Sequence, residues 1–387
     1  MIGMSAVIFI PDDTAKTGYP QPLMLQSVMG APLLAWLANA LFDSGVGRFF
    51  LVCHDRYVEA ARACLPAEAE VMTTMDSDPA DLLHVFLSTA EDAEHTITVV
   101  TGPAVYLPQL APQAAGRFPR VYGVSREELM QALDEHFSFA RFLLDNGSPM
   151  NEEQAMYSVA SPAELPEIAG LLQRNRLLAL ARTGVEIYDA SSCYVEPSVR
   201  VAPGARLLPG TMLRGKTVIG EEAVIGPWSV IDDSVIGARA VVNASQVRES
   251  RVGQDAVVGP YASVRGGCEL GRSVRAGSFV ELKNARLGEN PQVPHLAYLG
   301  DTEAGANCNF GCGVTTANFD RVQKHETVVG EGAFIGCNTA LIAPLQVGSG
   351  AYIGAGSTIT EDVPAQALGI ARARQSNKKE WAAKHKK

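Results

Sequence analysis

Several things are scarce in this chain of 387 residues, and each scarcity closes off a class of protein. Its seven cysteines, Cys53, Cys64, Cys193, Cys268, Cys308, Cys312 and Cys337, are odd in number and scattered, which excludes a disulfide framework and the paired short spacings of a structural zinc site. Aromatic residues make up only 7%, too few for a large aromatic core. Positive charge is also short: the formal charge is −10, with −11 carried by residues 1–185 and +1 by residues 186–387. A broad nucleic-acid footprint is thereby excluded outside the short tail that holds Lys378, Lys379, Lys384, Lys386 and Lys387, a pattern that reads as a solvated end. No apolar run is long enough to cross a membrane, and the first residues lack a basic region, so no membrane partner and a reduced, cytoplasmic setting are expected.

Glycine and proline, by contrast, are plentiful at 36 and 22, and hydrophobic residues reach 47%, as in a folded, turn-rich chain. After residue 190 the aliphatic residues fall six apart: Val195, Val201, Leu207, Leu213, Ile219, Ile225 and Ile231 run without a break. The register slips by one at Ile236, continues at Val242, and resumes as Val252, Val258, Val264 and Leu270. It returns as Val329, Ile335, Leu341, Val347, Ile353 and Ile359, and Gly220, Gly226, Gly237, Gly253, Gly330, Gly336, Gly348 and Gly354 follow many of these residues. A helix needs a period of 3.6 and a simple strand a period of 2. A period of six with a small residue in each unit therefore means short flat strands separated by corners, three to a coil, with the aliphatic pointing inward. The expected fold is the left-handed parallel β-helix of the hexapeptide-repeat proteins. The hexads become irregular between residues 285 and 328, where a loop leaving one face marks a place to look for chemistry.

Upstream the pattern alternates strand and helix. Strands are expected at about residues 5–10, at 49–53 and at 97–100, with a helix begun by Pro32 and ended by Gly45 and helical patterns at 126–136 and 137–144. This alternation predicts an α/β domain with a mostly parallel sheet over residues 1–155. Ser161-Pro-Ala-Glu164 reads as a capping box that opens a connecting helix closed by Gly184, within a connecting segment at 156–185. The β-helix then occupies 186–372, and a basic tail follows at 373–387.

Within the β-helix the sequence reads Tyr261-Ala-Ser-Val-Arg265-Gly-Gly, then Phe279-Val-Glu-Leu-Lys283, then Pro294-His295-Leu-Ala-Tyr298-Leu-Gly-Asp301, then Asn309-Phe-Gly-Cys-Gly and Thr316-Ala-Asn318-Phe-Asp320. These motifs closely resemble the acetyltransferase half of the bifunctional N-acetylglucosamine-1-phosphate uridyltransferase/glucosamine-1-phosphate acetyltransferase family, from about Tyr157 to the C-terminus. The resemblance implies acetyl-CoA-dependent N-acetylation of glucosamine 1-phosphate, with His295 as the base, Arg265 and Lys283 holding the phosphate, and Tyr298, Asn309 and Asn318 contacting the sugar. It matches the acetyl-CoA groove to Cys312, Cys337, Ala355 and Arg372, with cysteine at two positions where the family commonly has alanine or serine. Those two cysteines, with Cys308, read as small corner residues, and a reactive-thiol role is not expected. The family likeness also implies a homotrimer and no metal for acetyl transfer. The residue chemistry is consistent on its own terms, since an amine that attacks a thioester must lose a proton, for which a neutral imidazole is suited, and a sugar phosphate needs cations.

The first half of the family is a nucleotidyltransferase with a glycine-rich phosphate loop and a magnesium-binding carboxylate. Here the first strand leads into Pro11-Asp12-Asp13-Thr14-Ala15-Lys16, the expected Pro-Lys pair reads Pro22-Leu23, and Gly102-Pro103 stands where Gly-Asp would hold the metal. The α/β domain is therefore expected to be shortened and degenerate, with uridyl transfer lost. The alternatives are an acyltransferase for another amino sugar or nucleotide sugar, a non-catalytic trimeric scaffold that binds sugar phosphate, and a protein that is still bifunctional.

Overall fold

A computed structural model describes residues 4–74, 79–89, 95–106, 120–134, 139–150 and 156–385. The chain separates into two compact units, Met1–Leu178 and Ala179–Lys387.

In the first unit a six-stranded sheet runs in the order Glu70–Thr74, Val46–Val52, Met4–Phe9, Thr96–Val100, Val121–Ser125, Ser148–Met150. The first four strands are mutually parallel, Val121–Ser125 runs antiparallel to them, and Ser148–Met150 pairs antiparallel with Val121–Ser125. Successive side chains of a strand point to opposite faces. Ala6 and Ile8 enter one buried cluster while Val7 enters another, and Phe49 and Phe50 divide in the same way. Burial on both faces is why these strands read as unbroken apolar runs rather than alternating ones. The helix expected after Pro32 runs Leu33–Asp43, and those at 126–136 and 137–144 are Arg126–Asp134 and Phe139–Asn146, with residues 135–138 outside the described part.

The segment at 156–185 differs in detail from the expected connecting helix. Met156–Ser158 is a strand paired antiparallel with Ala104–Tyr106, a 3₁₀ turn spans Pro162–Glu164, and the α-helix runs Leu165–Arg182. Ser161 makes no side-chain cap; Glu164 alone reaches back, accepting from the Ala160 amide at 3.3 Å. The expected capping box is therefore replaced by a bond to the residue before the N-cap, and Gly184 adopts a positive φ just beyond the helix end.

The second unit is the left-handed parallel β-helix. Its strands are mostly two or three residues long and pair parallel from coil to coil, two faces forming one continuous 19-stranded sheet and the third a 9-stranded sheet. The inward aliphatics are buried, as expected: Leu207, Leu213, Ile225, Ile231, Val258, Val264, Ile335, Leu341 and Ile353 have no exposed surface. Val201, near the first coils, is only half-buried. The slip between Ile231 and Ile236 is a shortened corner between the strands Val230–Asp232 and Val235–Ile236, which stack on Met212–Arg214 and Val218–Ile219 without loss of pairing. Each coil fixes the next through backbone hydrogen bonds, so a residue's place in its hexad decides which face or corner it occupies. No described helix is long and apolar enough to cross a membrane.

Candidate active site

The two longest strands of the β-helix, Arg275–Lys283 and Gln292–Gly300, each run across a corner instead of stopping at it. They pair along their length, setting Ser278 beside His295, Glu281 beside Tyr298, and Lys283 beside Gly300. The preceding coil adds Arg265 beside Lys283 and Ser263 beside Glu281. One face therefore carries the column Ser263, Glu281, Tyr298, Thr315, and the corner at its end carries Arg265, Lys283 and Gly300.

At that corner the polar groups converge. A Cβ on Gly300 would collide with the Tyr298 hydroxyl and lie 2.8 Å from Asn318 Nδ2, so glycine is required for the two side chains to close over the backbone. Asn318 is buried, and its amide donates to the Asp301 carboxylate, which also accepts from Asn284 Nδ2 at 2.7 Å. Arg265 is paired with Glu281. Lys283 is held below the usual lysine range, first by the Lys324 ammonium within hydrogen-bonding reach, then by some loss of hydration and by Arg265, with Asp301 opposing. Mutually repelling cations crowded on one corner are what an anion of phosphate size would relieve.

Lys324 and Glu281 were not singled out from the sequence. Lys324 lies in the irregular stretch, which is an ordered loop. Asp320 Oδ1 accepts from the amides of Val322 and Gln323 at 2.8 Å each, and its other oxygen meets His325 Nε2 at 2.8 Å. Those amide bonds, with His325, drive the Asp320 carboxyl far below the usual range. Phe319 bridges to Lys324 and the His325 amide donates to Asn318 O at 2.8 Å, so one turn delivers both Asn318 and Lys324. The only sequence signal for Lys324 was the break in the period. Glu281 is an outward residue of a strand that alternates normally, and only its pairing with Arg265 sets it apart.

His295 is exposed at the other corner crossed by the same strand, three residues before Tyr298, at most roughly 10 Å along the chain. Gln292 pairs with Asn309 and Tyr298 with Thr315, which sets His295 level with Cys312 on the next coil. The same counting sets Cys312 level with Cys337, and Cys337 level with Ala355. His295, Cys312, Cys337 and Ala355 thus form one column up a single corner, all exposed. Arg372 stands in the adjacent column, its Cδ 3.6 Å from where a Cβ on Gly356 would be. Asn309 stands on the face before the His295 corner, away from the face that holds Tyr298, so the corner separates it from Tyr298 and Asn318. Among the described residues, no group of three or more His, Cys, Asp or Glu side chains is placed to hold a metal ion.

Residues 326–361 match the family model described as bacterial transferase hexapeptide, six repeats. A bifunctional protein GlmU of Clostridium perfringens is 40% identical over 240 residues, 62% of this chain and 53% of its own. The chain resembles the GlmU proteins. A GlmU of Clostridium kluyveri is 42% identical over 61% of this chain and 52% of its own length, and that of Brevibacillus brevis is 44% identical over 57% and 48%. The chain spans about half the length of these GlmU relatives. A solved UDP-N-acetylglucosamine acyltransferase from Francisella novicida matches at 19% identity over 48% of this chain and 66% of its own, with a TM-score of 0.25, too loose a likeness to argue from.

Proposed function

We propose that the β-helix transfers an acetyl group from acetyl-CoA to the amine of glucosamine 1-phosphate. The observation that carries the reading is the strand Gln292–Gly300, which holds the exposed imidazole at one corner and ends beside the cations of the next. Arg265, Lys283 and Lys324 would hold the phosphate, while Tyr298 and Asn318 orient the sugar so that its amine lies toward His295. His295 would take the proton as the amine nitrogen bonds to the thioester carbonyl carbon and the carbon–sulfur bond breaks, the sulfur leaving as coenzyme A thiol. The corner column of Cys312, Cys337 and Ala355, small side chains level with His295, would form the wall along which the thioester arm lies, with Arg372 beside its far end. The site would work in a cytoplasmic homotrimer, as the resemblance implies.

For the first unit, the loop after Met4–Phe9 supports loss of uridyl transfer. Asp12 pairs with Arg56 and takes the Thr14 amide at 3.3 Å and its hydroxyl at 2.7 Å, while Asp13 takes the Leu23 amide at 2.9 Å. The Thr14 hydroxyl, followed by that amide, holds Asp12 charged below the usual carboxylate range. Carboxylates thus hold the Thr14 and Leu23 amides, and their charge would repel a nucleotide phosphate. The test is thiol release from acetyl-CoA with glucosamine 1-phosphate, run beside pyrophosphate release from uridine triphosphate with magnesium. Thiol release alone supports the reading; pyrophosphate release with N-acetylglucosamine 1-phosphate refutes the reading of the first unit, and silence in both assays refutes the acetyl-transfer reading.

A further inference from the structure

Five of the seven cysteines are buried, and Cys312 and Cys337 are the two that are exposed. They occupy level positions on consecutive coils, joined by the hydrogen bond from the Asn338 amide to Cys312 O at 2.7 Å. Neighbouring parallel strands lie about 4.8 Å apart. That spacing falls inside the roughly 4.4–6.8 Å between α-carbons that a disulfide spans. The Cys337 thiol also leans toward the lower coil, since a Cβ on Gly311, the residue before Cys312, would lie 2.9 Å from Cys337 Sγ. The nearby Cys308 is different in kind: it is buried, its thiol donates to Gly330 O at 3.1 Å, and burial pushes it above the usual thiol range.

We propose that Cys312 and Cys337 are a coil-spanning dithiol that a small disulfide, such as oxidised glutathione, converts to an intramolecular disulfide on the corner beside His295. One thiolate attacks the oxidant's disulfide, forming a mixed disulfide and releasing one thiol. The second thiolate then attacks the protein sulfur of that mixed disulfide, forming the Cys312–Cys337 bond and releasing the second thiol. The pair gives up two protons and two electrons, and the oxidant's disulfide is reduced to two thiols. The bridge would tie together the outward surface along which the thioester arm is proposed to run, so oxidation would stop acyl transfer. Only this last consequence rests on the proposed function.

The test exposes the full-length protein to oxidised glutathione and measures intact mass, trypsin-derived peptides and thiol release from acetyl-CoA. The expected result is a loss of two hydrogen atoms in mass, a peptide pair joined through Cys312 and Cys337, and a loss of acyl transfer that dithiothreitol restores. Cys312→Ser and Cys337→Ser, each a small residue at an exposed corner, are expected to stop at the mixed disulfide. Glutathione adducts on both cysteines without a bridge, retention of both free thiols, or a bridge to another cysteine would overturn the proposal. A Cys312–Cys337 bridge with undiminished acyl transfer would keep the dithiol and reject its inhibitory role.

Discussion

Replacing Lys324 with alanine removes one cation from the corner that Arg265 and Lys283 share, and it should produce two separable effects. A hydrogen bond to a charged group contributes about 1.5–3 kcal/mol. Lys324 is exposed, so solvent screening sets the loss near the low end, about a tenfold rise in KM for glucosamine 1-phosphate. The KM for acetyl-CoA should not change, because Lys324 stands at the corner opposite to the His295 column. The second effect concerns pH. In the native protein Lys283 is depressed, chiefly by Lys324, so it sheds its proton earlier than an ordinary lysine as pH rises, and affinity for the anion falls with it. Protonated Lys283 is disfavoured in the folded state, so its contribution to stability improves as pH rises through its lowered value and levels off at the unfolded one. Without Lys324 the main cause of the depression is gone, and the alkaline fall in kcat/KM should move to higher pH. Steady-state kinetics against pH with each substrate varied measures both. An unchanged sugar-phosphate KM, or an alkaline limb that stays in place, would refute the assignment of this corner to the phosphate.

Other outcomes follow from the same geometry. His295→Ala should lower turnover by roughly 10²–10⁴-fold in a variant with native circular dichroism, and near-normal turnover would remove His295 from the mechanism. Asp320→Ala removes the acceptor of two backbone amides and the partner of His325, so it should raise the sugar-phosphate KM through misplacement of Asn318 and Lys324; rescue by Asp320→Asn, which keeps one acceptor oxygen, would distinguish positioning from charge. Because the Asp320 carboxyl is depressed, its contribution to stability is complete above the ordinary carboxylate range and is lost only as pH falls toward its lowered value, so a pH–stability curve should show the wild-type advantage over Asp320→Ala shrinking only in strong acid. Ile335→Ala empties a fully buried position between stacked coils and should cost about 2–5 kcal/mol in urea unfolding.

The β-helix was legible in the sequence because stacking allows little freedom: an aliphatic must point inward at each face, and the chain must turn after it. That requirement writes a period of six directly into residues 195–270 and 329–359, and even the slip at Ile236 corresponds to a shortened corner. The sheet of the first unit was legible for a different reason, since burial on both faces makes Ala6–Ile10 and Phe49–Cys53 unbroken apolar runs. His295, Arg265, Lys283 and Tyr298 were reached through their motifs, and the pairing of the strands Arg275–Lys283 and Gln292–Gly300 brings them onto one face and its two corners. Lys324 was not legible, because its position is set by the Asp320 turn in a stretch without periodicity. Asn309 is a motif residue whose hexad position puts it across the His295 corner from Tyr298, a separation the motif alone does not show. The pairing of Cys312 with Cys337 was hidden because 25 positions separate them in sequence and the loop at 318–326 masks the fact that they are one coil apart.

The most direct measurement is the rate of thiol release from acetyl-CoA with glucosamine 1-phosphate compared with glucosamine lacking the phosphate, with the product identified by mass. The account predicts one thiol released per N-acetylated sugar phosphate and a large preference for the phosphorylated sugar, lost in part in Lys324→Ala. Equal rates with both sugars, or no release with the phosphorylated one, would contradict it.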